Sequence, residues 1–172
     1  QYHHLMATSF DDLGIVTSMD VLAQRFGALD WWQQFRELES LNDDPPMVRL
    51  IDGPLQLDGD LHTGADPWAI VVNGALTLSG TLECSTPDAR TSVLVVAGPV
   101  RAANLFFSGA AQVSVAALEV SSFVIGTWGD SGAWLDARTD LLPDVIDGEN
   151  QLFAPEVRER GGEFLDFRAA RA

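Results

Sequence analysis

The fold is decided by four related segments: IDGPLQLDGDL (51–61), VNGALTLSGTL (72–82), VAGPVRAANLF (96–106) and VAALEVSSF (115–123). Apolar residues alternate with polar or small ones in each segment, which is the period of a β-strand. The aligned apolar residues are Leu55, Leu76, Val100 and Leu118. Successive members are 21, 24 and 18 positions apart, a spacing typical of solenoid coils.

Such a repeat favours stacking, because the apolar face of one unit is too small to be buried until the next unit covers it. We expect Gly53, Gly74 and Gly98 to supply the positive φ of a corner. An antiparallel sandwich is the alternative, but its hairpins do not require one pattern to return in the same register. We therefore predict a mostly β fold, a short parallel β-solenoid, and the spacing favours a right-handed coil.

The segment before the repeats has helical periodicity. From Ser18 to Leu41, apolar residues recur at three- and four-residue spacings, with Ser18 as the expected N-cap. The sequence NDDPP (42–46) ends this helix, because proline disfavours helix in the residue before it and has no backbone N–H. The predicted apolar stripe is Val21, Leu22, Phe26, Leu29, Trp32, Phe35, Leu38 and Leu41.

The chain is thus predicted to have three parts. Residues 1–46 form an N-terminal helical segment that caps or flanks the solenoid, and residues 47–142 form the solenoid itself. Residues 143–172 form a C-terminal acidic tail, which mixes apolar and charged residues and is expected to cap the other end. Covered ends matter because an open solenoid end is a row of unpaired backbone groups.

The charge balance indicates the class of partner. Twenty-five acidic against ten basic residues give a net charge of −15, which repels nucleic acid and anionic lipid and would attract basic partners. The alternative is that this charge only keeps the protein in solution. No apolar run reaches the roughly 18 residues of a membrane span. A single cysteine and the lack of a signal-peptide pattern predict a cytoplasmic protein. His3 and His4 lie beside the first residue and are equally compatible with a tag remnant.

The sequence offers little for catalysis. Phosphate-loop motifs and the usual metal-ligand spacings are absent, so we expect no cofactor and no metal. His62 and Cys84 are about one coil apart, but a lone cysteine in an apolar strand is more often a buried small side chain. Stacked carboxylates resemble those of β-helical glycosidases, yet basic and aromatic sugar contacts are few. We predict that the protein is not an enzyme.

The segments VVNGALTLSG (71–80) and LVVAGPVRAANLFFSG (94–109) resemble the repeated cassette of small bacterial solenoid proteins, and are similar at this level to the polymer-forming bactofilins. Members with an N-terminal helical segment and an acidic tail resemble immunity proteins of contact-dependent or type VI secreted toxins. The chain departs from the cassette where Pro54, Ala75 and Pro99 replace aspartate. The resemblance covers roughly residues 48–142, together with a tail segment at Gln151–Val157.

The resemblance implies a cytoplasmic immunity protein, an antitoxin that blocks a cognate toxin through an acidic surface opposite a basic active site. A self-assembling scaffold of the bactofilin type is the alternative. Trp31, Trp68 and Trp128 lie in helix-flank or loop contexts, where a large exposed ring is a typical anchor at such interfaces. Partial burial against the helix or the tail is the alternative for each of them. The candidate partner-binding residues are Asp58, Asp60, Asp66, Trp68, Trp128, Asp130, Asp136, Asp140, Asp144 and Asp147.

Overall fold

A computed structural model describes residues 7–39, 47–64, 67–86, 91–127, 134–141, 145–147, 156–158 and 164–166. Beyond residue 121 the description is of the backbone alone. Two helices are present among these residues, α1 (Met19–Phe26) and α2 (Asp30–Glu39), with a 3-10 turn at Phe10–Asp12. The strands are β1 (Thr8–Ser9), β2 (Ile15–Thr17), β3 (Val48–Asp52), β4 (Leu55–Leu57), β5 (Leu61–His62), β6 (Ala69–Asn73), β7 (Leu76–Leu78), β8 (Thr81–Ser85), β9 (Thr91–Ser108), β10 (Ala110–Thr127), β11 (Trp134–Leu141), β12 (Val145–Asp147), β13 (Glu156–Arg158) and β14 (Phe164–Asp166).

The strands form three parallel stacks, which confirms the predicted solenoid. The first stack contains β3, β6, the start of β9, the start of β10 and β11. The second contains β4, β7 and the middle of β9 and β10. The third contains β5, β8, the ends of β9 and β10, and β12. The predicted register is also confirmed, since Leu55 pairs with Leu76, Leu76 with Val100, and Val100 with Leu118.

Buried apolar side chains fill the interior of the coil. They come from all three stacks and are stacked in register from one coil to the next. The fully buried members include Val72, Leu76, Leu82, Leu94, Val100, Leu105, Val113 and Leu118. Each coil adds its own layer to this interior, so removing one coil would expose the apolar face of the next.

In β6 and at the start of β9 the first stack is buried on both faces, which the period of two did not predict. Its outward residues Val71 and Val95 lie in a second apolar cluster against the helices, which contribute Leu22, Phe26 and Phe35. Strands buried on both faces become continuously apolar, as in AIVV (69–72) and VLVV (93–96). The helices therefore flank the side of the solenoid.

The single predicted helix is instead a pair. Ser18 is the N-cap of α1 as expected, since its hydroxyl accepts a hydrogen bond from the Val21 N–H at 3.3 Å. The chain leaves the helix at Gly27 and turns before α2 begins. Two residues of the predicted apolar stripe, Val21 in α1 and Leu29 in the turn, are 49% and 45% exposed. Two short helices can each follow the flat face of the stack, which a single straight helix of this length would overhang.

Segment 7–17 covers the solenoid end that precedes the first coil. Strand β1 extends the third stack in parallel, with Thr8 paired to Leu61, and β2 pairs antiparallel with β3 in the first stack. Between them Phe10 is fully buried in the interior cluster. Arg49 occupies the interior register position of the first coil, and its Nη1 donates to the Leu13 carbonyl at 3.0 Å. The ring of Phe10 thus fills the end of the coil interior. The guanidinium of Arg49 holds the capping segment in place through its hydrogen bond to Leu13.

The corner glycines act by two mechanisms. Gly53 and Gly74 have the expected positive φ, 84° and 154°. Gly98 was expected to share it, but that prediction is wrong, since Gly98 is not among the positive-φ glycines. A Cβ there would lie 2.6 Å from the Ala75 nitrogen, so close coil packing requires glycine. The fourth corner, which lacks glycine, shows a register shift between Val115 and Ala117.

Candidate partner-binding surface

Asp58 and Asp60 lie at the corner between the second and third stacks. Both are exposed, and both are hydrogen-bonded to the following coil. The Ser79 hydroxyl donates to Asp58 Oδ1 at 2.6 Å, and the Thr81 N–H donates to Asp60 Oδ1 at 2.7 Å. These carboxylates therefore join two coils while their charge remains in contact with solvent.

Asp52 is a third corner carboxylate, which the sequence analysis did not single out. It accepts hydrogen bonds from Arg25 Nη2 at 2.7 Å and from Asn73 Nδ2 at 3.0 Å. The Arg25 hydrogen bond, followed by the one from Asn73, lowers the pKa of the Asp52 carboxyl. The alignment of IDG (51–53) with VNG (72–74) indicates the Asp52–Asn73 pair, but nothing in the sequence identifies Arg25 as its partner.

The predicted acidic residues do not form one patch. Asp58 and Asp60 belong to the first coil, whereas Asp136 pairs with Ser114 in the first stack and Asp147 with Gly126 in the third, both on the far side of β10. Four coil steps of about 4.8 Å separate the two groups by roughly 20 Å. Asp140 lies in β11. Four candidates lie outside the described residues: Asp66, Trp128, Asp130 and Asp144.

Trp68 is buried, so the expectation that its ring is exposed is wrong. It is 5% exposed, and its Nε1 donates to the Ser85 carbonyl at 2.7 Å. The loop before β6 thus turns the ring into the interior, where the indole N–H has an acceptor. Trp31, also considered for exposure, is half-buried with its ring 5.0 Å from that of Phe26. In the described part of the chain, neither ring offers a full face to a partner.

Cys84 and His62 do not form a catalytic pair. His62 pairs with Glu83 and shares its outward row, whereas Cys84, one position further, is fully buried in the interior cluster. Burial, with a smaller effect of Glu83, raises the pKa of the Cys84 thiol. A buried thiol with a raised pKa remains protonated and is a poor nucleophile.

The described residues line two shallow concave surfaces. One of about 390 Å³ lies on the third stack and is lined by His62, Thr63, Gly64, Glu83 and Ser85. The other, of about 370 Å³, lies beside the Arg101–Glu119 ion pair, in which Nε and Oε2 are 2.9 Å apart. No cluster of three or more metal-ligating side chains occurs in the described ranges. The first surface brings together an imidazole, a carboxylate and two hydroxyls, of which the Thr63 hydroxyl donates to the Ser85 carbonyl at 3.2 Å.

An apolar surface that the sequence analysis missed surrounds β2. Ile15 and Val16 are 63% and 47% exposed, and Met47, just before β3, is 72% exposed. The IVT (15–17) motif has the β-branched composition of a strand, and this was the available sequence signal. This motif lies outside the repeated segments, so the register of the repeats could not predict where the strand would pair.

Comparisons with family models, with curated proteins and with solved structures found no match to this chain. The parallel solenoid is consistent with the bactofilin-like cassette on which the resemblance rests. Neither helix of the described part is long and apolar enough to cross a bilayer.

Proposed function

We propose that this protein is an immunity protein, which binds a cognate bacterial toxin and neutralises it by covering a basic surface. The net charge of −15 favours encounter with a basic protein over encounter with nucleic acid. The resemblance to solenoid immunity proteins supplies the biological class. The corner at Asp58 and Asp60 supplies two exposed carboxylates that hydrogen bonds hold in place.

The observation that carries this proposal is the closure of the first coil by its own chain. Phe10 fills the interior, and β2 ends the first stack in the antiparallel direction. An added coil of a second molecule would have to displace both features to continue the parallel interior. This favours a discrete binding body over an end-to-end polymer.

Asp58 and Asp60 are suited to steering a basic partner. Each is held by a hydrogen bond from the next coil, at 2.6 Å and 2.7 Å, so little side-chain freedom is lost when a cation docks. The charge remains exposed at the corner, where it increases the rate of encounter.

The function is tested by co-expression with the product of the neighbouring gene. We expect that product to inhibit growth alone and to be harmless and co-purified in the presence of this protein. A neighbour that is harmless alone, or that stays toxic and unbound, would contradict the proposal.

The electrostatic part is tested with Asp58→Asn and Asp60→Asn, because asparagine keeps an acceptor oxygen for the corner hydrogen bond and removes only the charge. We expect slower association with the toxin at low salt and little change at high salt. Glu83→Gln is the matched control, an exposed carboxylate of the third stack that lies outside this corner. An equal effect of all three variants would show that only net charge matters.

The scaffold alternative has one supporting observation. Among the described strands, β4 pairs with β7 alone, so its other edge is unpaired at the capped end. Analytical ultracentrifugation separates the two functions. Concentration-dependent filaments would favour the scaffold, and a small discrete species would favour the immunity protein.

A further inference from the structure

The outer edge of β2 is open. Ile15, Val16 and Thr17 pair with Leu50, Arg49 and Val48 along one edge, and no other strand of the described ranges pairs with β2. Residues of an antiparallel strand alternate in the side to which they turn N–H and C=O. Either Val16, or both Ile15 and Thr17, therefore present backbone donors and acceptors outward.

The β2 strand has three residues, and this short length is the one device by which it protects its edge. Natural edge strands carry lysine, proline or a bulge, which prevent another strand from pairing. Here the strand is Ile-Val-Thr, paired in regular register, with Ile15 63% and Val16 47% exposed. Single exposed apolar residues are common on proteins. An open backbone edge that carries two exposed apolar side chains is a site where another strand can be added.

The apolar surface continues beyond the Thr17 end of β2. Met47 is 72% exposed and precedes Val48, which pairs with Thr17. Val21, in the first turn of α1, is 49% exposed and follows Thr17 by four residues. An extended segment lying along β2 would place alternate side chains against these apolar groups.

The charged residues that precede and follow β2 indicate which kind of segment would bind at its edge. Asp11 and Asp12 precede β2, Asp20 follows it, and all three are exposed. The two nearby arginines are engaged, since Arg25 is paired with Asp52 and Arg49 donates to the Leu13 carbonyl. A second copy of this chain would bring the same carboxylates against them, which opposes pairing. A strand that alternates aliphatic and basic residues complements both the apolar edge and the acids.

We propose that the partner docks by adding an extended segment of alternating aliphatic and basic residues to the open edge of β2. This inference rests on the proposed function for the identity of the partner as a basic toxin. The strand pairing supplies affinity through main-chain hydrogen bonds, and the flanking acids select a basic segment.

The edge is tested on the full chain without any toxin. The probes are acetyl-Lys-Ile-Lys-Val-Lys-Ile-amide and its counterpart with glutamate in place of lysine. We expect the lysine peptide to bind at least about tenfold more tightly at low salt. In ¹⁵N-labelled protein the shift changes should centre on Ile15–Thr17. Equal binding of the two peptides, or changes centred elsewhere, would overturn the proposal.

Ile15→Lys and Val16→Lys place a protective charge on the edge and should each reduce binding of the lysine peptide about tenfold or more. The matched control is Leu29→Lys, which makes the same change of charge at a residue 45% exposed in the turn between the helices. It should bind like the parent. Circular dichroism establishes that each variant is folded, and two separate edge positions guard against a local folding defect.

The two proposals fail in different ways. If Val16→Lys still neutralises the toxin, the edge proposal is lost and the immunity function stands. If the neighbouring product is harmless while the lysine peptide binds at Ile15–Thr17, the immunity function is lost and the edge stands. If ultracentrifugation shows that Val16→Lys converts a dimer to a monomer, the occupant is a second copy and the edge proposal is wrong.

Discussion

At the scale of single residues, Asp52 joins three parts of the molecule. Its carboxylate lies at the end of β3, accepts from Asn73 in the next coil, and forms an ion pair with Arg25 of α1. The contact thus links two coils to each other and to the flanking helix. Because the pair is exposed, solvent screens it and its contribution to stability is modest.

Asp52→Asn should reduce the acid sensitivity of the fold. The pKa of Asp52 is lowered in the folded state, so its stabilising contribution is present above the unfolded-state pKa of about 3.9 and is lost as pH falls through the lower folded-state value. We expect the variant to be less stable than the parent at pH 7 and closer to it near pH 2. Urea unfolding midpoints across this range measure the difference. A difference in midpoint between parent and variant that stays constant at all pH values would show that the charge of Asp52 does not contribute to stability.

At the scale of elements, the corners set how closely successive coils approach. Gly98 lies against the preceding corner, where an added Cβ would meet the Ala75 nitrogen at 2.6 Å and the Gly74 carbonyl carbon at 2.7 Å. Backbone atoms cannot move aside without moving a coil. Gly53 is different, since nothing lies within 4 Å of its added Cβ and only its φ of 84° favours glycine.

Gly98→Ala should therefore destabilise the protein more than Gly53→Ala. We expect a loss of about 1–3 kcal/mol for Gly98→Ala from overpacking, against about 1 kcal/mol for Gly53→Ala from the left-handed backbone alone. Denaturant unfolding of both variants measures the comparison. A larger loss for Gly53→Ala would mean that backbone conformation, and not coil spacing, limits these corners.

The repeat made the coil predictable from sequence, because the same pattern must return wherever one layer covers the next. The register of Leu55, Leu76 and Val100 follows from that condition alone. Features that occur once were not predictable in this way. The burial of Trp68 concerns one position before β6, and the cap depends on Phe10, one aromatic residue in a segment without periodicity. The candidate acids fall into two separate groups because the two groups lie four coils apart.

At the scale of the whole molecule, a solenoid is quasi-one-dimensional, so each coil depends chiefly on its neighbours. The first coil has the cap on one side and the second coil on the other. The helices add a lateral contact across β3, β6 and β9. A defect in the cap should therefore weaken the first coil most, while the helices limit its spread.

Phe10→Ala tests this arrangement. Phe10 is fully buried, and truncation of a buried phenylalanine costs about 3–5 kcal/mol. We expect hydrogen exchange to accelerate strongly in Val48–Asp52, next to the cap, and much less in Val93–Val96 two coils away, because the intervening coil keeps its own layer of apolar contacts. Leu29→Ala, at a half-exposed turn residue, should leave both segments unchanged. Equal acceleration in the two segments would show that the solenoid and its cap unfold as one cooperative unit.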